Sequence, residues 1–257
     1  MLKIQNLTKI FDKNGVNEKI ALKDFNLNLQ NGDFLTVIGD NGAGKSTLMN
    51  CIAGVYRADS GKILLDGNDI SNLPEHKRAK FIGRVFQDPM KGTAFDMTIE
   101  ENLAIAENKK NFCGLQWGIT AKKRVEYASK LEVLDMGLEN MMTKKVRLLS
   151  GGQRQALTLF MAIMAKPKLL LLDEHTAALD PQAAQKILKL TAKLAAQKDF
   201  CTIMITHNMK DALVYGNRTI LMRQGQLVMD VSGEERAKMT VDELIAKFNI
   251  QNDRMLL

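Results

Sequence analysis

The segment from Gly39 to Thr47 holds the residues of this chain that are best suited to bind a phosphate chain. It reads GDNGAGKST and fits the pattern G-x-x-x-x-G-K-[ST]. Phosphates need several converging N–H donors, and glycines let the backbone turn tightly and come close. Lys45 supplies a compact positive charge for the β- and γ-phosphates, Ser46 a hydroxyl for Mg²⁺, and Thr47 a hydroxyl for a phosphate oxygen.

A second chemical feature is the apolar run 169–172, which ends in the two carboxylates Asp173 and Glu174. A buried strand of an open α/β sheet binds ligands at its carboxyl end. Asp173 is placed there to hold Mg²⁺, and Glu174 to orient and polarise an attacking water. Because phosphoryl transfer needs positioning more than covalent help, these two roles suffice for hydrolysis.

The third feature is the sequence LSGGQ at residues 149–153, which precedes a helical pattern that runs to Ala165. A serine and two glycines before a helix predict an N-terminus with bare N–H groups, which is an anion site. The alternative is an ordinary capped helix after a glycine turn. Because one chain carries two such helix starts, we favour two phosphate-binding segments.

The elements that must position these residues alternate between strands and helices, which predicts an α/β fold. Strands are expected at 2–7, 20–29, 34–38, 62–65, 168–172 and 201–206, and helices at 46–53 and 181–196. Residues 88–166 have mostly helical periodicity and predict an insertion. Asp180 before Pro181 predicts a helix start, and residues 218–230 predict a hairpin. Thr240 with Glu243 predicts a capping box at the start of a last helix.

Composition narrows the class of protein. The 257 residues contain 36 Lys and Arg against 29 Asp and Glu, and this basic balance suits either a polyanionic partner or a solvated surface. The cysteines Cys51, Cys113 and Cys201 are odd in number and widely spaced, which predicts a reducing compartment without disulfides. Apolar runs long enough for a membrane span or a signal peptide are missing, so we expect a cytoplasmic protein.

Taken in order, the segments GDNGAGKST, VFQDP, LSGGQ, LLLLDE, ALD and ITH resemble those of ABC transporter ATP-binding subunits over roughly residues 1–235. The resemblance implies a P-loop NTPase core with a mixed or parallel sheet, an N-terminal antiparallel β subdomain and an inserted α-helical subdomain. The expected bounds are 1–87 and 167–235 for the core, 88–166 for the helical subdomain, and 236–257 for a C-terminal helical tail.

The resemblance also implies roles for individual residues. Phe11 would stack on adenine, and Ser150, Gly151 and Gly152 would bind the γ-phosphate of ATP held by a second subunit. The implied nucleotide-binding residues are Phe11, Gly39, Asn41, Gly42, Ala43, Gly44, Lys45, Ser46, Thr47, Ser150, Gly151, Gly152, Gln153 and Asp180. The implied catalytic residues are Glu174, His207 and Gln87. The implied metal ligands are Ser46, Gln87 and Asp173.

The expected function is ATP-driven transport. ATP and Mg²⁺ are the implied cofactors. A homodimer, or a pair with a similar ATPase subunit, would close around two ATP molecules beneath integral membrane permease subunits. A substrate-binding protein is an expected further partner, and nucleic acid is not. The chain would lie in the cytoplasm, peripheral on the inner face of the cell membrane.

Two alternative functions fit the sequence less well. A soluble ABC ATPase that acts on ribosomes would usually carry two cassettes, and one that acts on DNA would carry long heptad segments, whereas this chain has one phosphate loop and too few residues between Gly39 and Leu149. A purely regulatory module would be expected to lack Lys45, Glu174 or His207, and all three are present. Import is favoured over export.

One residue departs from the family pattern. The position after Glu174 is commonly Pro in this family, and here it is His175. Proline would stiffen the turn, so the substitution predicts a less rigid loop without removing Glu174. With histidine at this position, the chain resembles the ATPases of some bacterial uptake systems for amino-acid-like solutes.

Overall fold

The structure, a computed structural model, describes residues 1–107, 119–196 and 200–253, with side chains as far as residue 247. Cys113 lies outside the described residues, whereas Cys51 and Cys201 are buried free thiols. The chain divides into two compact units, the first formed by Met1–Arg78 with Ala195–Leu257 and the second by Ala79–Leu194. The predicted subdomain bounds at residues 87, 167 and 235 stay a prediction.

An antiparallel sheet forms one layer of the first unit. Its strands, in spatial order, are β2 (Lys19–Leu29), β1 (Leu2–Phe11), β4 (Ser60–Leu65) and β5 (Asn68–Asp69). The central strand β1 pairs antiparallel with both β2 and β4. Alternate residues at the carboxyl end of β2 are buried, as the alternating apolar pattern predicts for a strand with one face on a core.

Four further strands of the first unit form a mixed sheet. In spatial order they are β10 (Gln226–Ser232), β9 (Arg218–Arg223), β3 (Phe34–Gly39) and β8 (Cys201–Ile205). Strand β3 runs parallel to both β8 and β9, and β9 and β10 form the predicted hairpin. Every residue of β3 and β8 is buried, which explains their nearly continuous apolar sequences.

The helices of the first unit include one at the phosphate loop, one short helix at its junction with the second unit in sequence, and three nearer the C-terminus. They are α1 (Lys45–Ala53), α2 (Glu75–Arg78), α7 (Met209–Val214), α8 (Gly233–Lys238) and α9 (Val241–Asp253). Strand and helix meet in a cluster of the buried side chains Ile38, Ala212, Leu221 and Leu244. The capping box that starts α9 is confirmed, since Thr240 and Glu243 exchange backbone-to-side-chain hydrogen bonds of 2.8 and 3.2 Å.

The second unit is mainly helical. Its elements are β6 (Ile82–Val85), α3 (Ile99–Glu107), α4 (Ala121–Leu131), α5 (Gly151–Met164), β7 (Leu169–Asp173) and α6 (Pro181–Ala195). Strands β6 and β7 pair in parallel. The described part of the predicted helical insertion contains α3, α4 and α5. Among the described residues, no helix has the length and apolarity that a bilayer crossing requires.

A buried arginine closes the carboxyl end of helix α1. Arg78 is 2% exposed, and its guanidinium donates to the carbonyls of Cys51 (2.7 Å) and Ile52 (2.9 Å) in the last turn of the helix. It also donates to the carbonyls of Leu73 (2.7 Å) and Ser71 (2.9 Å). Burial lowers the pKa of this guanidinium from its usual value, but Arg remains charged in proteins. The charge therefore stabilises the negative end of the α1 dipole.

We expect Arg78→Ala to lower the free energy of unfolding by about 3 kcal/mol or more, because it leaves several buried carbonyls without a donor. Arg78→Lys should recover part of the loss, since an ammonium cannot reach all four oxygens. Urea unfolding followed by circular dichroism measures the change. The control is Arg57→Ala at an exposed position, expected within about 0.5 kcal/mol of the parent. An equally small effect for Arg78→Ala would contradict the capping role.

Candidate functional site

The phosphate loop ends in a helix start that no side chain caps. Gly44 is the N-cap residue of α1, with φ 99° and ψ 1°, and no side-chain hydrogen bond closes this end of the helix. A Cβ at Gly44 would lie 2.5 Å from the carbonyl oxygen of Ala21. Glycine is therefore required both by the left-handed backbone and by the lack of room for a side chain. The first N–H groups of α1 can therefore donate to an anion, and the positive end of the helix dipole favours it.

Lys45 points its amine into the phosphate loop. Its side chain is 6% exposed, and Nζ donates to the carbonyls of Gly39 (2.7 Å) and Asp40 (3.0 Å). The loop is held in turn by backbone bonds from Ala43 N–H to the Asp40 carbonyl (3.1 Å) and from Gly225 N–H to the Ala43 carbonyl (3.0 Å). The ammonium thus sits within a fixed loop, where a phosphate would meet a positive charge together with N–H donors.

The remaining loop residues differ in exposure. Asn41, Gly42 and Ser46 are exposed, Thr47 is half-buried, and Ala43 is buried at 3%. The exposed Ser46 hydroxyl stands in the first turn of α1, where an oxygen ligand of a phosphate-bound metal is expected. The roles predicted for Ser46 and Thr47 stay predictions.

His207 lies beside the start of the phosphate loop. It follows β8 and is exposed, and a cavity of about 230 Å³ is lined by Ile38, Gly39, Asp40, Asn41, Thr206, His207 and Met209. The parallel pairing of β3 with β8 brings these two strand ends together, which sequence spacing alone does not show. An imidazole in this position can contact the last phosphate of a bound chain.

Phe11 stands at the end of β1 and packs against another aromatic ring. Its ring centroid lies 5.3 Å from that of Tyr56 at an interplanar angle of 84°, an edge-to-face contact. The ammonium of Lys9 lies 5.4 Å from the Phe11 centroid. Phe11 does not line the cavity beside His207. Tyr56 was not predicted from the sequence, because a lone tyrosine after a helix carries no functional signal.

Asp173 and Glu174 stand at the carboxyl end of β7 in the second unit. Asp173 is half-buried, and its Oδ2 lies 3.4 Å from Nη2 of Arg84 on the neighbouring strand β6. Glu174 follows with φ 47°, a left-handed conformation that is uncommon for a residue with a side chain. Strand β7 therefore ends at Asp173, and Glu174 begins a turn. Arg84 was not predicted as a site residue, since β6 was not recognised as a strand.

Gln87 is exposed and lies just after β6. The residue before it is fixed by the buried amide of Gln155, whose Nε2 donates to the Phe86 carbonyl at 3.3 Å. The residue after it, Asp88, accepts from the N–H of Met90 at 2.9 Å. The backbone on both sides of Gln87 is thus anchored while its amide side chain reaches solvent. Gln155 was missed because its role depends on a tertiary contact.

The LSGGQ segment forms a capped helix start that keeps donors available. Ser150 is the N-cap of α5, and it exchanges bonds with Gln153 in a capping box: Ser150 Oγ accepts at 3.2 Å, and Gln153 Oε1 accepts at 3.1 Å. Because the Ser150 hydroxyl accepts in this box, its proton remains able to donate to a ligand. The alternative prediction of a capped helix describes the observed start of α5. The anion site stays a prediction that this geometry allows.

The tip of α5 lies against the segment that precedes α6. A Cβ on Gly151 would come within 3.2 Å of Leu179 Cδ2, and one on Gly152 within 3.1 Å of Ala183 Cβ. Asp180 lies between these two contacts and caps α6, with its Oδ1 accepting from the N–H of Ala183 at 3.0 Å. The predicted helix start at Asp180 is confirmed. The two signature glycines therefore allow close packing of the tip on this segment.

His175 is held by its surroundings more firmly than the sequence predicted. The side chain is 2% exposed, and Nε2 lies 3.1 Å from Thr191 Oγ1 on α6. Burial lowers the pKa of His175 to about 4, so the imidazole is neutral near pH 7. The expected loosening of the loop by loss of a proline is offset by this contact.

Comparisons with known proteins agree with this geometry. A family model described as ABC transporter matches residues 22–177, more than half of the chain. The tyrosine transport ATP-binding protein of Clostridioides difficile (strain R20291) is 43% identical over 249 residues, which cover 96% of this chain and 98% of that protein. The spermidine/putrescine import ATP-binding protein PotA of Aggregatibacter actinomycetemcomitans is 34% identical, and the chain spans 64% of its length.

Solved structures share the fold. The ADP conformation of MJ1267, an ATP-binding cassette of an ABC transporter, matches with a TM-score of 0.79 and 30% identity, covering 97% of this chain and 98% of that one. The dimeric post-hydrolysis state of the ATP-binding cassette MJ0796, bound to ADP and Pi, matches with a TM-score of 0.75 and 29% identity, covering 90% and 98%.

The predicted fold class is confirmed by these neighbours, with an antiparallel β subdomain, a mixed sheet and helical parts. The predicted ATPase activity is confirmed at the level of the family. With the uncapped phosphate loop, the carboxylates after β7 and the LSGGQ helix start in place, the chain belongs to the ABC transporter family as an ATP-binding and ATP-hydrolysing subunit.

Proposed function

We propose that this ATPase subunit energises the uptake of a small amino-acid-like solute. The observation that carries the proposal is the 43% identity, over nearly the full length of both chains, to a protein named for tyrosine transport. Relatives named for spermidine and putrescine import support the inward direction. The presence of His175 after Glu174 agrees with the resemblance to such uptake systems.

ATP would be held by the first unit. The N–H groups of the phosphate loop and of the first turn of α1 surround the β- and γ-phosphates, and Lys45 balances their charge. Thr47 holds a phosphate oxygen, and Phe11 stacks on the adenine ring. The edge-to-face contact with Tyr56 restrains the half-buried Phe11 ring for this role.

The residues proposed as metal ligands suit Mg²⁺. Ser46 offers a hydroxyl, Gln87 an amide oxygen and Asp173 a carboxylate, and hard oxygen donors of this kind are what Mg²⁺ prefers. When bound, Mg²⁺ neutralises charge on the β- and γ-phosphates. The Arg84 guanidinium, 3.4 Å from Oδ2 of Asp173, can orient this carboxylate.

Hydrolysis would be carried out by three side chains. The Glu174 carboxylate accepts a hydrogen bond from the attacking water and draws its proton away from the forming bond. Gln87 orients the same water, and His207 contacts the γ-phosphate from the cavity beside Gly39. Each group acts by position and charge, since the transition state requires no covalent partner.

A second subunit would complete each site. We propose that Ser150, Gly151, Gly152 and Gln153 of one copy bind the γ-phosphate of ATP held by the other, with Asp180 across the interface. The Ser150 proton left over from the capping box and the bare N–H groups of the α5 tip are suitable donors. ATP would then hold the dimer closed, and hydrolysis would release it.

The complete transporter would add membrane subunits. We propose that the dimer, of identical chains or of this chain with a similar ATPase, lies on the cytoplasmic face beneath two permease subunits. A solute-binding protein would deliver the substrate. The dimeric cassette MJ0796 is the structural precedent for the pairing.

Lys45→Ala should lower steady-state ATP turnover roughly 100-fold or more, because the transition state loses its main loop cation. Phosphate release in the presence of ATP and Mg²⁺ measures it. The matched control is Lys62→Ala, an exposed lysine of the same unit, which should turn over ATP at the parent rate. Parent-level turnover in Lys45→Ala would refute the phosphate-loop assignment.

Glu174→Gln should bind ATP with parent-like affinity but hydrolyse it roughly 100-fold more slowly or worse, because the amide cannot take up charge from the attacking water. The ATP-bound variant should therefore accumulate as a dimer, which light scattering after size exclusion detects. Glu132→Gln, at an exposed position, should stay monomeric under the same conditions. A Glu174→Gln chain that remains monomeric at saturating ATP with Mg²⁺ would contradict the shared sites.

Deletion of the gene should reduce uptake of labelled tyrosine or a related amino acid at least about tenfold, with spermidine and putrescine as comparison solutes. The parent gene should restore uptake, whereas the Glu174→Gln gene should not, because transport needs turnover. Parent-level uptake of every amino acid after the deletion would overturn the proposed substrate class. Impaired export of one of them would overturn the proposed direction.

A further inference from the structure

We propose that His175 is a positioning residue for hydrolysis: through its hydrogen bond to Thr191 it ties the Glu174 turn to helix α6 and thereby sets the position of the Glu174 carboxylate. This inference rests on the proposed role of Glu174 and adds to it a residue that acts through Glu174. His175 itself contacts neither ATP nor water in this scheme.

The burial of His175 shows that its ring is a fixed part of the second unit. It is 2% exposed, next to a half-buried Glu174. A buried imidazole that lost its partner would cost about 1–3 kcal/mol, so the 3.1 Å contact with Thr191 Oγ1 restrains the ring. Since the ring belongs to the residue that follows Glu174, the restraint acts one peptide away from the proposed base.

The donor and acceptor of this bond can be assigned. The Thr191 hydroxyl lies 2.8 Å from the Ile187 carbonyl, which can only accept, so the single hydroxyl proton is used there. Thr191 Oγ1 therefore accepts from His175, and the proton of the ring lies on Nε2. The contact therefore requires both the His175 N–H and the Thr191 hydroxyl oxygen, and variants that remove either group can test it.

The backbone of Glu174 needs such a restraint. Its φ of 47° is left-handed, and a residue with a side chain pays of order 1–3 kcal/mol to stay in a sparsely populated conformation. A backbone bond from Ala177 N–H to the Glu174 carbonyl, at 3.0 Å, closes the turn that contains His175. Releasing the ring would let this turn relax toward ordinary φ values and move the carboxylate.

Helix α6 is a firm base for the tether. Ile187, Leu188, Leu190 and Leu194 on it are all buried. Asp180 caps the start of the same helix, so the segment from Glu174 to Asp180 is attached to α6 at two places, near its N-terminus and at Thr191. Because a misplacement of about 1 Å can cost about 100-fold in rate, a restraint of this kind can matter for catalysis as well as for stability.

The test uses two matched pairs of variants. Thr191→Val removes the acceptor with little change of shape, and Thr191→Ser keeps it; His175→Ala removes the donor, and His175→Gln keeps an N–H near the place of Nε2. We expect Thr191→Val and His175→Ala to lower kcat roughly 10- to 100-fold at nearly unchanged KM and ATP affinity. The kcat of Thr191→Ser and of His175→Gln should stay within about threefold of the parent value. Rates are divided by the folded fraction, measured by thermal unfolding.

A second measurement separates positioning from stability and remains available if His175→Ala folds poorly. In the Glu174→Gln background, Thr191→Val should cause no further loss of single-turnover hydrolysis, because the group through which His175 acts is already gone. Additive losses in the double variant would overturn the proposal, as would a parent-like kcat in Thr191→Val. Full activity of Glu174→Gln itself would instead refute the role of Glu174, so the two failures are distinguishable.

Discussion

A helix start that no side chain caps is the physical constraint on which the phosphate loop depends. Gly44 starts α1 in a left-handed conformation without a side-chain cap, so the first turn keeps its donors for an anion. At the other end, the Arg78 guanidinium and the N–H of Gly54 satisfy the last carbonyls. The helix is therefore open at its positive end and closed at its negative end, which is the arrangement that a phosphate chain requires.

The second unit uses helix starts differently. Ser150 and Asp180 each cap a helix with a side-chain oxygen, whereas Gly44 has none to offer. A capped start is stable without a ligand, and an uncapped start gains most when an anion arrives. We infer that the phosphate loop is the primary site for ATP and that the α5 tip, with only its spare donors, contributes to a second copy's site.

The sequence predicted the elements whose signal is local. Strands β3, β7 and β8 are nearly continuous apolar runs because they are almost entirely buried, and the caps at Asp180 and Thr240 follow from neighbouring residues. The strand β6 was missed because Ile82–Val85 is short and contains a glycine and an arginine. The candidate site residues were predicted from sequence motifs that follow one another in a fixed order. Arg84 and Tyr56 were not found, since each acts through a partner distant in sequence.

The consecutive carboxylates after β7 show why such contacts matter for the chemistry. Asp173 is the last residue of β7, one residue beyond the ladder with β6, and its carboxylate lies beside Arg84. Glu174 has left the ladder, so sheet hydrogen bonds no longer determine where its carboxylate points. Two adjacent like charges can take separate roles only if each is fixed independently. Asp173 belongs to the strand, whereas Glu174 lies in the turn that the proposed His175–Thr191 contact ties to helix α6.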